Sequence, residues 1–319
     1  MAKWCIGIDL GGTFIKFGLL DEGLNATETF QLPTPQGADA VIAQMAEGAR
    51  QAMDRFGVAE SDIVGVGIGS PGPLDIKKGI VIDMPNLPGM KGAPLRDGVG
   101  GALGMKSVLV NDANAAAMGE YLCGAGQGTH TMILLTLGTG VGGGIILDGR
   151  LYGGANDIAG ELGHMIVEAG GEPCPCGQKG CLERYCSATN IAAYAERMLG
   201  EGRESTLKAV LASAGEVTTK DINEARIAGD TLAAEVWDRG LYYLGVGCAS
   251  IARIFDPEEI VLAGGLTKAG DDLLTPVRRH FEEQSWTLTP PFTRIELATL
   301  GADAGTLGAA GVAWQEFKS

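Results

Sequence analysis

Apolar positions along this chain fall into two kinds of run, short dense ones and longer ones spaced at helical intervals. Residues 4–9 (Trp4, Cys5, Ile6, Gly7, Ile8, Asp9) read as a buried strand. The chain then passes Leu10, Gly11, Gly12 and Thr13 and returns over 14–20 as a second strand, which predicts a β-hairpin with a glycine-rich turn. Residues 27–32 predict a third strand, and 62–68, 107–110 and 259–263 predict buried strands. Residues 294–299 alternate like an edge strand. Between these lie helical stretches. Over 38–56, Val41, Ile42, Met45, Ala49 and Met53 recur at helical spacing. Helices are also expected over 113–122, 189–198, 205–214, 219–228, 271–283 and about 305–317, and over a long run from 230 to 255 that Asp256-Pro257 stops.

The pattern repeats. Residues 131–149 read as a second glycine hairpin, and a constant offset of 127 positions sets Asp9 on Thr136, Leu10 on Leu137, Gly11 on Gly138, Leu19 on Ile146, Leu20 on Leu147 and Asp21 on Asp148. Register kept across strand, loop and strand points to an internal duplication. It predicts an α/β protein with two similar halves, each presenting a glycine hairpin to a shared cleft.

Composition narrows this further. A chain of 319 residues suggests two domains at about 100–200 residues each, and 45% hydrophobic residues suffice for full cores. Net charge is −15 and no dense Lys/Arg run occurs, which argues against a nucleic-acid partner. Acidity does not forbid an anionic ligand, because loop amides can bind phosphate locally. The start of the chain runs straight into a strand, so no signal peptide is expected, and no apolar stretch is long enough for a membrane span. Seven cysteines, an odd number, fit a reducing cytoplasm.

Three clusters carry candidate chemistry. The first is His164 with Cys174, Cys176 and Cys181, a Cys₃His set suited to tetrahedral zinc; four protein ligands make such a site structural. Gly177 and Gly180 let the backbone turn tightly around an ion. The plainer alternatives are buried thiols or a disulfide, though Cys174 and Cys176 are too close to pair comfortably and the other cysteines are scattered. Cys186 falls outside the ligand spacing. Glu161 and Glu183 bracket the cluster; with His164 they suit a polyol, because carboxylates accept hydrogen bonds from sugar hydroxyls and a metal-bound imidazole can donate from its other nitrogen. The plain alternative for both glutamates is a solvated or salt-bridged surface role.

The second cluster is the pair of hairpin loops, Asp9-Leu-Gly11-Gly12-Thr13 with Lys16, and Thr136-Leu-Gly138-Thr139-Gly140. Glycines let backbone N–H groups approach phosphate oxygens. Neither loop has Walker A spacing, and the first is followed by a strand where a Rossmann fingerprint needs a helix. Asp9 suits Mg²⁺, or else serves only as a strand-end turn residue. Gly264 and Gly265 follow a buried strand and either admit an adenine ring or simply make a turn. The third cluster is Asn111-Asp112-Ala113-Asn114 at the carboxyl end of a strand, where open α/β sheets bind ligands. Asp112 is the candidate general base for a hydroxyl attacking a phosphoryl group. The competing role for Asp112 is the N-cap of the alanine-rich helix after it.

These motifs, with the Gly69-Ser-Pro-Gly72-Pro73 and Asn86-Leu-Pro-Gly89 loops, resemble the ROK family of bacterial sugar kinases, within the actin-like ATPase superfamily, over essentially the whole chain. Glu161-Leu-Gly-His164 and the cysteine stretch through Glu183 are close to diagnostic. The resemblance implies a two-domain actin-like (ribonuclease H-like) α/β fold with duplicated halves and a structural zinc site. Residues 1–117, joined by a C-terminal helix at 303–319, would form the small domain. Residues 118–302 would form the large one, with the zinc site and dimer-forming helices. It further implies Asp112 as general base and Gly72, Asn86, Asn111, Glu161, His164 and Glu183 around the sugar. Asp9, Gly11, Gly12, Thr13, Lys16, Thr136, Gly138, Thr139, Gly140, Gly264 and Gly265 would serve ATP and Mg²⁺. Two departures from many relatives are Met90, where an aromatic often follows the Asn-Leu-Pro-Gly loop, and Cys186, where alanine is common.

The expectation is an ATP-dependent hexose kinase acting on glucose, cytoplasmic and homodimeric. N-acetylmannosamine, N-acetylglucosamine, fructose and allose are the alternative acceptors, and polyphosphate or ADP the alternative donors. A sugar-responsive repressor would need a helix-turn-helix ahead of the first strand, for which residues 1–3 leave no room; a non-catalytic sensor sits badly with Asp112 and two phosphate loops.

Overall fold

A computed structural model describes residues 2–84, 87–290 and 292–318. Strands β1 (Trp4–Leu10) and β2 (Phe14–Asp21) form the first hairpin, and β3 (Phe30–Pro33) adds to it antiparallel, beginning later than the pattern predicts. Helix α1 (Ala38–Phe56) leads to β4 (Ile63–Ser70), the ribbon β5 (Leu74–Asp75) and β6 (Ile80–Val81), α2 (Leu95–Leu103), β7 (Ser107–Asn111) and α3 (Asp112–Cys123). The second passage opens with β8 (Met132–Leu137), β9 (Val141–Leu147) and β10 (Arg150–Leu151). Helices α4 (Glu183–Cys186), α5 (Ala188–Gly200), α6 (Leu207–Ala214), α7 (Thr219–Ile227) and α8 (Thr231–Phe255) come next. Strand β11 (Glu259–Ala263), α9 (Asp271–Gln284), β12 (Arg294–Leu297) and α10 (Ala304–Phe317) close the chain.

The two sheets repeat one topology, with strand orders β3-β2-β1-β4-β7 and β10-β9-β8-β11-β12. In each, a hairpin is extended by parallel strands: β1 pairs with β4 and β4 with β7, while β8 pairs with β11 and β11 with β12. The 127-residue offset carries Phe14, the first residue of β2, onto Val141, the first of β9. Parallel pairing explains why β4, β8 and β11 read as dense apolar runs: strands covered on both faces have no solvent side to keep polar.

Local signals set the helix ends. Helix α1 buries Val41, Met45, Ala49 and Met53, and Gly57 ends it in the left-handed conformation at φ 66°. Helix α8 ends on Asp256, which takes a left-handed φ of 44° before Pro257. Thr218 and Asp221 form a reciprocal capping box at the start of α7. Among the described residues no helix is long and apolar enough to cross a membrane.

The chain forms two compact units, one of residues 1–130, 144–160 and 299–319, the other of 131–143 and 161–298. In the first unit Ile6, Ile8, Phe17, Val66 and Ile68 of the sheet share a core with Met45 and Ala49 of α1. The opposite sheet face receives α10, which packs on α3, β1 and β4. That contact is backbone on backbone: a Cβ at Gly7 or Gly67 would overlap the carbonyls of Thr306 and Ala309. Trp314 Nε1 fixes the far end of α10 by donating to the Leu20 carbonyl at 3.0 Å. In the second unit Ile133, Leu135, Ile260 and Leu262 are fully buried, and α8 packs on α9, where Trp237 Nε1 donates to the Asp272 carbonyl at 3.0 Å.

Candidate active site and metal cluster

The first hairpin places Asp9 opposite Lys16 across β1 and β2. Its turn closes on itself: Gly11 N–H donates to the Phe14 carbonyl at 3.0 Å, and Thr34 Oγ1 donates to the Gly11 carbonyl at 2.7 Å. Gly12 and Thr13 stand exposed at the tip. Lys16 Nζ donates to the Ala302 carbonyl at 2.6 Å, in the lead-in to α10. Burial and the neighbouring Asp112 carboxylate push Asp9 up to about 6, against the pull of the Lys16 ammonium. The electrostatics therefore bring together Asp9, Lys16 and Asp112, drawn from β1, β2 and the β7–α3 junction.

At that junction Asn111 is the helix cap: its side chain accepts from the N–H groups of Ala113 and Asn114 at 2.9 and 3.3 Å. The capping role that competed for Asp112 thus belongs to its neighbour. Asp112 is the first helical residue, exposed, with Oδ1 accepting from Ala113 N–H at 2.9 Å. Asn111 spends its oxygen on the cap, and its amide nitrogen stands beside Gly72, where a Cβ would lie 3.6 Å away. Asn114 Oδ1 is buried without a hydrogen-bond partner. Asn86 lies outside the described residues.

The second hairpin is braced differently. Gly138 N–H donates to the Gly140 carbonyl at 3.0 Å, Gly142 N–H to Thr136 Oγ1 at 3.1 Å, and Thr139 is exposed at the tip. Glu183, at the start of α4, accepts from Val141 N–H at 2.9 Å, and a side chain at Gly140 would collide with its carboxylate. One oxygen of Glu183 therefore supports the phosphate-loop candidate. Gly264 has φ 92°, and a Cβ there would lie 2.5 Å from the Leu137 carbonyl, so β11 can pass the end of β8 only with glycine. Gly265 faces open space.

His164, Cys174, Cys176 and Cys181 converge, their donor atoms all within 4.8 Å of one another. Cys174 Sγ lies 3.7 Å from His164 Nδ1, and Cys176 Sγ lies 3.6 Å from Cys181 Sγ. A tetrahedron with zinc–sulfur bonds of about 2.3 Å has edges of about 3.8 Å, so these spacings suit one small cation. Gly177 and Gly180, at φ 94° and 82°, make the turns that bring the cysteines back. Nδ1 of His164 faces the cluster, which leaves Nε2 on the ring's other side. Glu161 is exposed just before the short turn that carries His164, and its carbonyl accepts from His164 N–H at 3.0 Å. Cys186 stays out of the cluster; it is fully buried near Cys248, and burial pushes its thiol well up.

The model of the ROK family matches residues 5–316 of this sequence. The chain belongs to the ROK family. A glucokinase of Halalkalibacterium halodurans is 38% identical to this ROK chain, over 99% of it and 97% of the relative. Its structure is similar to that of a ROK hexokinase from Thermus thermophilus, with TM-score 0.84, 35% identity and 99% of each chain covered. It is also similar to a ROK family glucokinase from Streptomyces griseus in complex with glucose and AMPPNP, with TM-score 0.77, 35% identity, and 98% and 99% of the two chains covered. The ROK chain thus has the actin-like ATPase fold.

Sequence reasoning passes over one ROK residue near this site. Glu120 is completely buried in α3, and its carboxylate accepts from the backbone N–H groups of Ala125, Thr299 and Leu300 at 2.9, 3.1 and 2.8 Å. The signal was present: Ala113, Ala117 and Glu120 share a helix face, and a carboxylate on an apolar face needs buried partners.

Proposed function

We infer that this protein transfers the γ-phosphoryl group of ATP to a hexose hydroxyl, with glucose the favoured acceptor and glucose 6-phosphate the product. The observation that carries the reading is similarity over the full chain to glucokinases, one of them solved with glucose and AMPPNP. In this proposal Asp112 accepts the proton of the attacking hydroxyl; its exposed carboxylate at the end of a strand suits that role. Asn86, Asn111, Glu161, His164 and Glu183 hold sugar hydroxyls, with the backbone at Gly72 beside them. Gly11, Gly12 and Thr13 of the first hairpin, with Lys16, and Thr136, Gly138, Thr139 and Gly140 of the second bind the phosphates, and Gly264 and Gly265 admit the adenine.

Asp9 is the residue that would hold Mg²⁺, which supplies neutralising charge to the phosphates. The donor set of His164, Cys174, Cys176 and Cys181 fits zinc in kind and spacing, and zinc there would fix the loop that carries Glu161 and His164. Two carboxylates near one another, Asp9 and Asp112, divide the work: Asp9 serves the metal and Asp112 the proton. A cytoplasmic setting suits the seven free cysteines, and a homodimer is proposed from the family resemblance, with sedimentation as its test.

The experiment is ADP release from ATP and Mg²⁺ with glucose, mannose, fructose, allose, N-acetylglucosamine and N-acetylmannosamine in turn. Turnover highest on glucose supports the reading. Turnover confined to an N-acetylated sugar replaces the acceptor and keeps the mechanism. Folded protein that turns over none of them contradicts it.

A further inference from the structure

Glu120 sits in a place where a buried carboxylate is expensive unless it is fully partnered. Its partners lie on two stretches. Oε2 takes Ala125 N–H, just beyond the end of α3, and Thr299 N–H; Oε1 takes Leu300 N–H. Thr299 Oγ1 adds a longer contact to Oε2 at 3.4 Å. Gly124 leaves room for this, since a Cβ there would collide with Oε2. Residues 299 and 300 turn the chain from β12 toward α10, and residues 302 to 305 meet the first hairpin and the lead-in to β3 at once. The Ala302 carbonyl accepts from Lys16 Nζ at 2.6 Å, and Asp303 Oδ1 accepts from Thr29 Oγ1 at 2.7 Å. Gly305, in the first turn of α10, comes so close to Asp9 that a Cβ would lie 2.8 Å from its Oδ2. A single buried carboxylate thus anchors the segment whose next residues touch both Lys16 and Asp9.

We propose that Glu120 is a positioning residue for the phosphate end of the site, holding the start of α10 so that Asp9 and Lys16 keep their places. The proposal rests on the reading of Asp9 and Lys16 as the Mg²⁺ and phosphate residues. A carboxylate suits this anchor because it offers acceptors only, and every partner here is a donor. An amide of the same shape turns one acceptor into a donor facing a backbone N–H.

The test compares KM for MgATP, KM for the sugar and melting temperature in the full-length protein and its variants. In Glu120→Gln the KM for MgATP is expected to rise about tenfold or more, while the sugar KM stays within about twofold, because misplacement falls on one end of the site. Gly124→Ala drives a Cβ into the Glu120 carboxylate and pushes it aside without removing it, and should show the same split; it carries the test if Glu120→Gln does not fold. Trp314→Phe is the structural control: it loses the hydrogen bond to Leu20 at the far end of α10 and should lower melting without moving the MgATP KM. An equal rise in that control, or an unchanged MgATP KM in folded Glu120→Gln, overturns the proposal. Asp9→Asn and Lys16→Ala run beside them. If neither alters the MgATP KM, the phosphate-end reading itself is wrong and the positioning role falls with it; if both alter it while Glu120→Gln does not, only the positioning role is lost.

Discussion

Asp9 and Asp112 are both aspartates near the ends of strands, yet their surroundings differ. Asp9 is held among β1, Lys16 and the start of α10, and burial together with Asp112 pushes it up to about 6. On the proposal that Asp9 holds Mg²⁺, its carboxylate must be ionised to do so, and kcat/KM for MgATP should fall as pH drops through about 6; a pH–rate profile checks this. The stability effect has the opposite sense. The folded state holds the Asp9 proton more tightly than the unfolded chain, whose ordinary value is 3.8. That stabilisation is full below the ordinary value and is lost as pH rises through about 6. Ligand-free Asp9→Asn should therefore be more stable than the parent at pH 8, by up to about 3 kcal/mol, while losing MgATP affinity. A denaturant titration at pH 8 in which the variant is the weaker protein would refute this account of Asp9. For Asp112, replacement by asparagine keeps the shape and the start of α3, since Asn111 provides the cap. It should lower kcat by about 10²–10⁴-fold with little change in melting.

Among the elements, the β11 turn separates packing from binding. Gly264→Ala must collide with the Leu137 carbonyl at a backbone conformation reserved for glycine, and should destabilise the protein by about 1–3 kcal/mol. Gly265→Ala meets nothing, so its melting should match the parent, and a higher KM for ATP in that variant would mark adenine passing there. The histidine–cysteine cluster gives a second element-scale expectation. If the cluster is a zinc staple, stripping the metal should lower melting, at about 2–4 °C for each kcal/mol lost in a unit of this size, and activity should fall with it. Normal melting and full activity in protein shown to be metal-free would remove the staple. Element type was largely legible. Strand and helix periods placed α1, β11 and the two hairpins almost to the residue, because dense apolar runs and helical spacing come directly from what each element buries. Helix α2 was not foreseen, and its glycines explain why. Gly98 lets α2 approach Ile42 and Gly100 admits Ser107 Oγ, so close packing chose residues that a helix would otherwise avoid.

For the whole molecule, the repeat seen at an offset of 127 residues reappears as two sheets with one strand order, because a duplicated sequence buries its apolar strands in the same arrangement twice. The metal-ligand candidates were legible from spacing, and the structure brings the four donors together. Less legible was what joins distant stretches. That Lys16 reaches the Ala302 carbonyl, that Glu120 holds residues 299 and 300, and that Glu183 braces the second hairpin are long-range pairings that no local period encodes. The activity as a whole rests on one claim, that a sugar hydroxyl gives its proton to Asp112 as it attacks ATP. The most direct measurement is glucose-dependent ADP release by the parent protein and by folded Asp112→Asn under saturating ATP and Mg²⁺. Brisk release by the parent that needs glucose, reduced about 10²-fold or more in the variant, is the predicted result. Glucose-dependent release that survives intact in Asp112→Asn would contradict the account.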